Sequence, residues 1–174
     1  MTDMLTDTLQ EEFIKILREE LVPAMGCTEP IALAYAAARG REVLGCEPEG
    51  IIAKCSGNMI KNVRCVTIPN SGGLTGIETA CILGSVAGDA AAGMEVLEKV
   101  DDAGRMRTRK LLQKGGCSVE FLDSEIPLHF IIGLWGGGHE VEVEVRHTHT
   151  NIVSIVKDGQ AVYTREQEQA DKGD

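Results

Sequence analysis

The spacing of hydrophobic positions changes along the chain, from intervals of three and four residues to strict alternation. The helical spacing occupies the first part, beginning at about residues 5–22, where Pro23 ends the predicted helix. A second helix is predicted over residues 29–44, and it is apolar on nearly every side, which is typical of a buried helix. Further helices are predicted at about residues 77–87, over residues 91–100 and within residues 101–115.

Strand patterns frame and follow these helices. The stretches "EGIIAKCSGN" and "VRCVTIPN" predict two strands, broken at Gly57 and Pro69. From Cys117 onward the period is two, and five more strands are predicted, in "CSVEFL", "LHFIIGLW", "HEVEVEVRHTHT", "NIVSIVKDG" and "QAVYT". The order predicts an α+β fold, with N-terminal helices packed on a mostly antiparallel C-terminal sheet. We expect one domain over residues 1–160 and a polar tail or linker over residues 161–174.

Composition narrows the classes of function. The chain has 174 residues and a formal net charge of −10, which opposes binding to nucleic acid or to an anionic membrane. Its longest apolar run, "IALAYAAA", is too short to span a bilayer, and the first residues lack the order of a signal peptide. These features predict a cytoplasmic protein that binds neither nucleic acid nor membrane.

The six cysteines include one whose position favours chemistry. None forms a CxxC pair, and Cys55, Cys65 and Cys81 are expected to be small buried hydrophobes. Cys27 precedes a helix that Thr28 can cap, and the helix N-terminus there favours a thiolate. Cys27 is therefore a candidate nucleophile or metal ligand, although a buried cysteine in a tight turn fits its position equally well.

Two polar segments are candidate binding loops. Ser56, Asn58, Lys61 and Asn62 follow a strand end, where they could hold a substrate carboxylate or form a solvated turn. The glycine-rich "IPNSGGLTGIETA", residues 68–80, could present backbone N–H groups to an anion or be a plain tight turn.

The last candidate is the strand pattern after Gly138. If residues 139–150 form one unbulged strand, His147 and His149 point to the same face as three buried valines. Both imidazoles would then need hydrogen-bond partners or a metal, and structural or substrate-binding roles are favoured.

Five of these stretches in this order resemble one known family. They are "GCTEPIALAYAAA", "SGNMIKN", "IPNSGG", the GGH within "GGGHEVEV" and "HTNIV". The chain resembles the L-cysteine desulfidase family, related to iron–sulfur L-serine dehydratase alpha chains, from the first helix to about Lys157.

The resemblance implies a lyase with a [4Fe–4S] cluster. It would eliminate sulfide from L-cysteine, or water from L-serine, to give pyruvate and ammonia. Cys27 would be a cluster ligand, and Lys61 and His149 the catalytic candidates. Substrate-binding positions implied by the resemblance are Ser56, Asn58, Asn62, Ser71, Gly72, Gly73, His139 and Asn151.

One departure from the family concerns the cluster. Family members continue into a second half that supplies the other two cluster cysteines, and the remaining cysteines here do not match those positions. The resemblance therefore implies an N-terminal fragment, a truncated gene product or one chain of a split enzyme. Its partners would be a small amino acid and a missing C-terminal half or partner chain, with homo-oligomerisation left open. The alternative is a non-catalytic amino-acid-binding or subunit-contact domain.

Overall fold

A computed structural model describes Gln10 and residues 28–165. Except for Gln10, the predicted helix over residues 5–22 lies outside these residues, and so does Cys27. The described elements are, in chain order, α1 (Thr28–Leu44), β1 (Gly50–Ser56), α2 (Gly57–Val63), α3 (Ile77–Ala87), a 3-10 segment (Ala90–Glu95), α4 (Asp102–Gln113), β2 (Cys117–Leu122), β3 (His129–Gly136), β4 (His139–Arg146), β5 (Ile152–Lys157) and β6 (Gln160–Thr164). The fold is α+β, as the sequence predicts.

The strands form one sheet of six, in the order β2-β1-β3-β4-β5-β6. All neighbouring pairs are antiparallel except β1 and β2, which run parallel. A parallel pair needs a long crossover, and the chain between β1 and β2 supplies it with α2, α3 and α4. This arrangement makes β2 an edge strand that pairs only with β1.

Helices α1 and α3 cover one face of the sheet. Alternate residues of the central strands face them and are buried, among them Ala53, Phe130 and Val143. The two helices approach closely because a glycine meets an alanine: a Cβ at Gly84 would lie 2.2 Å from the carbonyl oxygen of Ala34. Aromatic residues are only 3% of the chain. The core is instead packed densely by small side chains, which let the helix backbones lie close together.

The opposite face of the sheet is mainly polar. It carries Lys54, Glu140, Glu142, Glu144 and Arg146, all of them half-buried or exposed. Strand alternation places His129 on this same face, because its neighbour Phe130 faces the helices. The sheet therefore separates an apolar, helix-covered side from a charged side.

Two predicted elements are wrong. Residues 63–70 do not form a strand, and their ladder is reduced to a single bridge between Thr67 and Thr75. The chain turns back too soon for a strand, because Pro69 is followed by left-handed backbone at Asn70 and Gly72. The predicted helix over residues 91–100 is also absent. The first residues of that predicted helix lie in the 3-10 segment, Ala90–Glu95. This segment is itself interrupted at Gly93, where φ is 60°.

The predicted domain boundary also needs correction. Residues 161–164, assigned from sequence to a polar tail, lie within β6, which pairs with β5. Residues 166–174 lie outside the described part of the chain. Of the helices that the structure describes, none is long and apolar enough to cross a membrane.

Candidate functional site

Polar side chains converge where β1 and β4 end and β3 begins. Ser56 is the last residue of β1, His129 the first of β3, and Arg146 the last of β4. The β3–β4 register places His129 directly opposite Arg146. We call this region the polar end of the sheet and define it by Ser56, Ser124, His129, Glu144 and Arg146.

The loop between β2 and β3 closes over this end. Ser56 is buried, and its hydroxyl donates a hydrogen bond of 2.8 Å to the carbonyl of Pro127. The Asn58 amide lies 3.5 Å from the same carbonyl. The hydroxyl of Ser124, in the same loop, accepts a bond of 3.2 Å from the backbone N–H of Ile126. These bonds fix the loop, and with it the position of Ser124.

His129 is held between a hydroxyl and a carboxylate. Its Nδ1 lies 2.7 Å from Ser124 Oγ, which is hydrogen-bond distance. Its Nε2 faces Glu144 Oε2 across 3.7 Å, which is too long for a hydrogen bond. The side chain is only 10% exposed, so the imidazole is fixed in orientation and removed from water.

The environment keeps His129 neutral. Burial lowers the pKa of His129, because desolvation disfavours the imidazolium. The Glu144 carboxylate acts in the opposite direction, and the positive charge of Arg146 lowers the pKa further. A neutral histidine can accept a proton at one ring nitrogen while the other carries its hydrogen.

Three buried side-chain nitrogens lack hydrogen-bond partners among the described residues, namely His129 Nε2, Arg146 Nε and His149 Nε2. Arg146 Nε lies 2.6 Å from Glu144 Oε2, close enough for an ion pair but not aligned for a hydrogen bond. His149 belongs to the turn that follows Arg146, so all three atoms lie near one end of the sheet. Buried polar groups usually have hydrogen-bond partners, so the polar end of the sheet is the candidate binding site among the described residues.

The β4–β5 turn corrects the predicted arrangement of histidines. The ladder is shifted between Glu144 and Val145, and β4 ends at Arg146, so His147 and His149 do not continue the valine face. His147 is exposed, with a φ of 73°, and its N–H donates to the carbonyl of Leu128.

Asn151 has a structural role in the same turn. Its side-chain amide donates to the carbonyl of Arg146 at 2.8 Å, and its amide oxygen accepts a bond of 2.7 Å from Arg165. The candidate substrate-binding residue Asn151 thus closes the turn that carries His149.

The segment after β1, which the sequence interpretation treated as a polar turn, forms the short helix α2. Asn58, Lys61 and Asn62 belong to α2, where they share the exposed face while Met59 and Val63 are buried. Asn58 and Ser56 contact the loop at the polar end, but Lys61 has an exposed side chain on this helix. No hydrogen bond or ion pair of the described residues joins Lys61 to His149.

The glycine-rich loop, residues 68–80, bonds to itself and to residues 97 and 100, and not to the polar end of the sheet. Ser71 is buried and bonds to Ile68 and Leu74 within the loop itself. The Asn70 amide donates to the carbonyls of Leu97 and Val100. Gly72 lies against Arg109 of α4, and Gly73 has left-handed backbone. No hydrogen bond of the described residues joins this loop to Ser56, Asn58 or His149.

His139 lies at the opposite end of the sheet. It begins β4, and its Nδ1 lies 2.6 Å from Asp158 Oδ2. Asp158 also accepts the backbone N–H of Glu140, and this bond, with that of His139, lowers the pKa of Asp158. His139 therefore stabilises a hairpin turn and does not join the other candidate residues.

The cysteines separate into two groups. Cys55 and Cys81 are buried, as predicted, whereas Cys65 is exposed, because its segment is a loop rather than a strand. Within residues 28–165 no group of three or more His, Cys, Asp or Glu side chains could hold a metal ion. The predicted ligand Cys27 lies outside the described residues, so its convergence with the other candidates stays a prediction.

The sequence interpretation did not identify His129, Ser124 or Glu144. None of them belongs to a motif, and they meet only through the β3–β4 register. The sequence does contain one signal that could have identified them. If the glycines after Trp135 form a hairpin turn, His129 lies opposite Arg146, a residue of the polar face of β4.

Known proteins similar to this chain carry names that state no activity. A UPF0597 protein of Lachnoclostridium phytofermentans is 43% identical over 163 residues, which are 94% of this chain and 39% of that protein. A UPF0597 protein of Treponema denticola is 39% identical over 155 residues, covering 89% of this chain and 36% of the relative. No family model and no solved structure matches the chain.

These relatives correct the resemblance drawn from the sequence motifs. They are named UPF0597 proteins, and neither an L-cysteine desulfidase nor a serine dehydratase name appears among them. The expected family is therefore wrong. The chain is similar to UPF0597 proteins, and it spans 39% or less of the length of the relatives named here.

Proposed function

We propose that this chain is the N-terminal part of a cytoplasmic amino-acid lyase. The reaction is α,β-elimination on L-cysteine or L-serine, which yields pyruvate, ammonia and sulfide or water. The observation that supports it is that His129 lies opposite Arg146 at the polar end of the sheet, with the buried Nε2 of His129 left without a hydrogen-bond partner among the described residues. An α-amino acid offers a carboxylate for a cation and an acidic α-proton for a neutral imidazole.

His129 is the proposed base. With its Nδ1–H donating to Ser124 Oγ, the Nε2 lone pair is free to take the α-proton. Glu144, 3.7 Å from Nε2, then faces the imidazolium and stabilises it. As the α-proton leaves, the bond to the β-sulfur or β-oxygen breaks and aminoacrylate forms. The departing hydrosulfide or hydroxide takes up the proton that His129 has accepted and leaves as hydrogen sulfide or water. The imine tautomer of aminoacrylate is hydrolysed to pyruvate and ammonia.

Arg146 is the proposed carboxylate-binding group. Its side chain is one-third exposed and is paired with Glu144 through Nε, which leaves its other nitrogens for a ligand. A guanidinium can bind a carboxylate through two parallel hydrogen bonds. This local cation offsets the repulsion that a net charge of −10 exerts on an anionic group.

A [4Fe–4S] cluster with Cys27 as one ligand is part of the proposal. Among residues 28–165 no group of three or more His, Cys, Asp or Glu side chains could hold a metal ion, and we propose that the cysteines that would complete a ligand set with Cys27 lie outside this chain. We expect the 174-residue chain alone, reconstituted anaerobically with iron and sulfide, to hold no stoichiometric cluster. A cluster visible by EPR on this chain alone would refute that assignment.

The test of function is pyruvate formation by the gene product that contains this chain, reconstituted with iron and sulfide. We expect His129→Gln to lower kcat by about 100-fold or more, the usual contribution of a general base, with a smaller change in KM. The matched control is His139→Gln, which removes an exposed imidazole at the other end of the sheet and should leave kcat unchanged.

The same assay separates the alternative function. Ser124→Ala keeps the imidazole but removes its hydroxyl partner, so kcat should fall less than in His129→Gln. Circular dichroism establishes that each variant is folded. If the wild-type protein binds L-cysteine or L-serine but forms no pyruvate, the non-catalytic amino-acid-binding domain is correct. Full kcat in folded His129→Gln would refute the assignment of the base.

A further inference from the structure

A small cavity lies on the helix-covered side of the sheet, between α1 and the last two strands. Its volume is about 130 Å³. The described residues that line it are Tyr35, Arg39, Thr150, Ile152, Ile155 and Tyr163. The chain contains only two tyrosines, and although they are far apart in sequence, both line this one cavity.

The cavity has an apolar floor because the β4–β5 ladder is irregular. The register shifts between residues 144 and 145, so that Ile152 lies opposite Val145 and Ile155 lies opposite Val143. Both valines face the helices, and both isoleucines are buried, with exposed fractions of 5% and 2%. In a regular strand, side chains three residues apart point to opposite faces. The irregularity therefore brings two aliphatic side chains to the same side of the sheet.

Aromatic rings form two walls of the cavity. Tyr35 and Arg39 are one turn apart on α1, so they share a face of that helix. Tyr163, in β6, pairs with Ile155 and lies on the same side of the sheet. Tyr163 is 43% exposed, which leaves part of its ring for contact with a ligand.

Arg39 is the only charged residue among the six that line the cavity. Its Nη1 donates a hydrogen bond of 3.0 Å to Glu42, which is not a lining residue. Its other two guanidinium nitrogens have no hydrogen-bond partner among the described residues, and its side chain is 47% exposed. The cavity therefore offers donors for an anionic group beside an apolar floor.

We propose that this cavity binds a small carboxylate with a planar, apolar body, of the benzoate type. A guanidinium binds a carboxylate through charge-assisted hydrogen bonds, and the Thr150 hydroxyl can donate another. The tyrosine rings favour an aromatic body, which they can contact by offset or edge-to-face stacking. The volume lies below the roughly 300 Å³ at which sites for drug-sized molecules begin, so the ligand must be small.

The lining disfavours an α-amino acid as the ligand. An ammonium group removed from water needs acceptors or an opposite charge, and none of the six residues is acidic. The cavity also lies on the helix-covered side of the sheet, whereas His129 is on the opposite face. The inference is therefore independent of the proposed lyase function.

The test is a titration of the 174-residue chain, with ¹³C in its tyrosine rings, by sodium benzoate at constant ionic strength. Because the chain has two tyrosines, its NMR spectrum should contain two sets of ring signals, and Tyr163→Phe assigns them. We expect both sets to shift with one saturation curve and a Kd of about 1 mM, since a ligand this small has few contacts.

Two further ligands test the chemistry on the wild-type chain. Benzamide has the shape of benzoate without its charge, and it should bind at least about 10-fold more weakly, the usual effect of losing a charged hydrogen bond. L-Serine, a substrate of the proposed lyase, should give no saturable shift of the tyrosine signals. Loss of the lyase activity would leave these expectations unchanged.

Two variants test the role of the cation. Arg39→Gln should raise the Kd for benzoate about 10-fold or more. The matched control is Arg41→Gln, which removes an exposed arginine of the same helix that is not a lining residue and should leave the Kd unchanged. Circular dichroism establishes that both variants are folded.

Four results would overturn the inference. The first is the absence of saturable tyrosine shifts with benzoate. The second is equal affinity for benzamide, which would remove the role of charge. The third is L-serine binding as tightly as benzoate, and the fourth is wild-type affinity in folded Arg39→Gln. The first three are measured on the wild-type chain, so they do not depend on whether a variant folds.

Discussion

The contact between Gly84 and Ala34 gives the sharpest prediction of stability. In Gly84→Ala the new Cβ would lie 2.2 Å from the Ala34 carbonyl oxygen, 2.6 Å from its Cα and 2.7 Å from its carbonyl carbon. All three are backbone atoms, so no change of rotamer relieves the clash. Ordinary contact begins at 3.4 Å, and α1 and α3 must therefore separate locally by about 1 Å, which weakens dispersion contacts along the whole interface.

The magnitude follows from two opposing effects. Replacing glycine by alanine inside a helix stabilises by about 1 kcal/mol, whereas overpacking a core costs about 1–3 kcal/mol and more when backbone must move. Because all three contacts are with backbone atoms, the cost lies at the upper end of that range, and we expect a net loss of about 2 kcal/mol in the free energy of unfolding, measured by urea denaturation of the 174-residue chain. In the control Gly40→Ala the Cβ meets Leu134 Cδ1 at 2.4 Å, the end of a side chain that can rotate away. Its cost should be smaller. A Gly84→Ala chain as stable as the wild type would refute the close packing of these helices.

Three further predictions concern the stability contributed by Ser56, Asn70 and His129. Ser56→Ala removes the 2.8 Å hydrogen bond that the buried Ser56 side chain donates to the Pro127 carbonyl and should cost about 0.5–1.5 kcal/mol, whereas Asn58→Ala, at 3.5 Å, should cost much less; equal losses in urea denaturation would contradict this. Asn70 has left-handed backbone, with a φ of 58°, and its amide donates to the carbonyls of Leu97 and Val100. Asn70→Gly should therefore lose only the hydrogen bonds, because glycine adopts this backbone without strain. Asn70→Ala should lose them and also strain the backbone, so it should unfold at a still lower urea concentration. Because the pKa of His129 is lowered in the folded state, the unfolded chain binds more protons below about pH 6.5. The stabilisation from neutral His129 is therefore complete above that pH, and the free energy of unfolding falls as the pH drops through the folded pKa of His129. His129→Gln should remove this pH dependence, and a variant with the pH dependence of the wild type would refute the assignment.

Most secondary structure was predictable because its pattern is local. The predicted bounds of the helix over residues 77–87 agree with α3, and all five C-terminal strands exist. The errors occur where a local pattern competes with backbone geometry. In residues 139–150 the alternation continues past the end of β4, since nothing in the spacing shows that His147 takes left-handed backbone.

The candidate site was less predictable, because tertiary pairing assembles it. Asn151 and Ser56 stand in conspicuous motifs, yet each bonds to a backbone carbonyl and holds a turn or loop in place. His129 stands in no motif, yet it is buried beside Ser124 and Glu144. A sequence motif identifies residues that a fold needs as well as residues that a reaction needs, and only the surroundings of each side chain distinguish the two.

The sheet also separates the proposed chemistry from the core. Alternation along β3 places His129 on the face opposite Phe130, with Glu144 and Arg146 on the neighbouring strand. The helices pack against the other face, so a change in their packing reaches the proposed base only through the strands or through the loop that carries Ser124. Ser56 anchors that loop through the Pro127 carbonyl, and the position of the proposed base therefore depends on this one hydrogen bond as well as on the sheet.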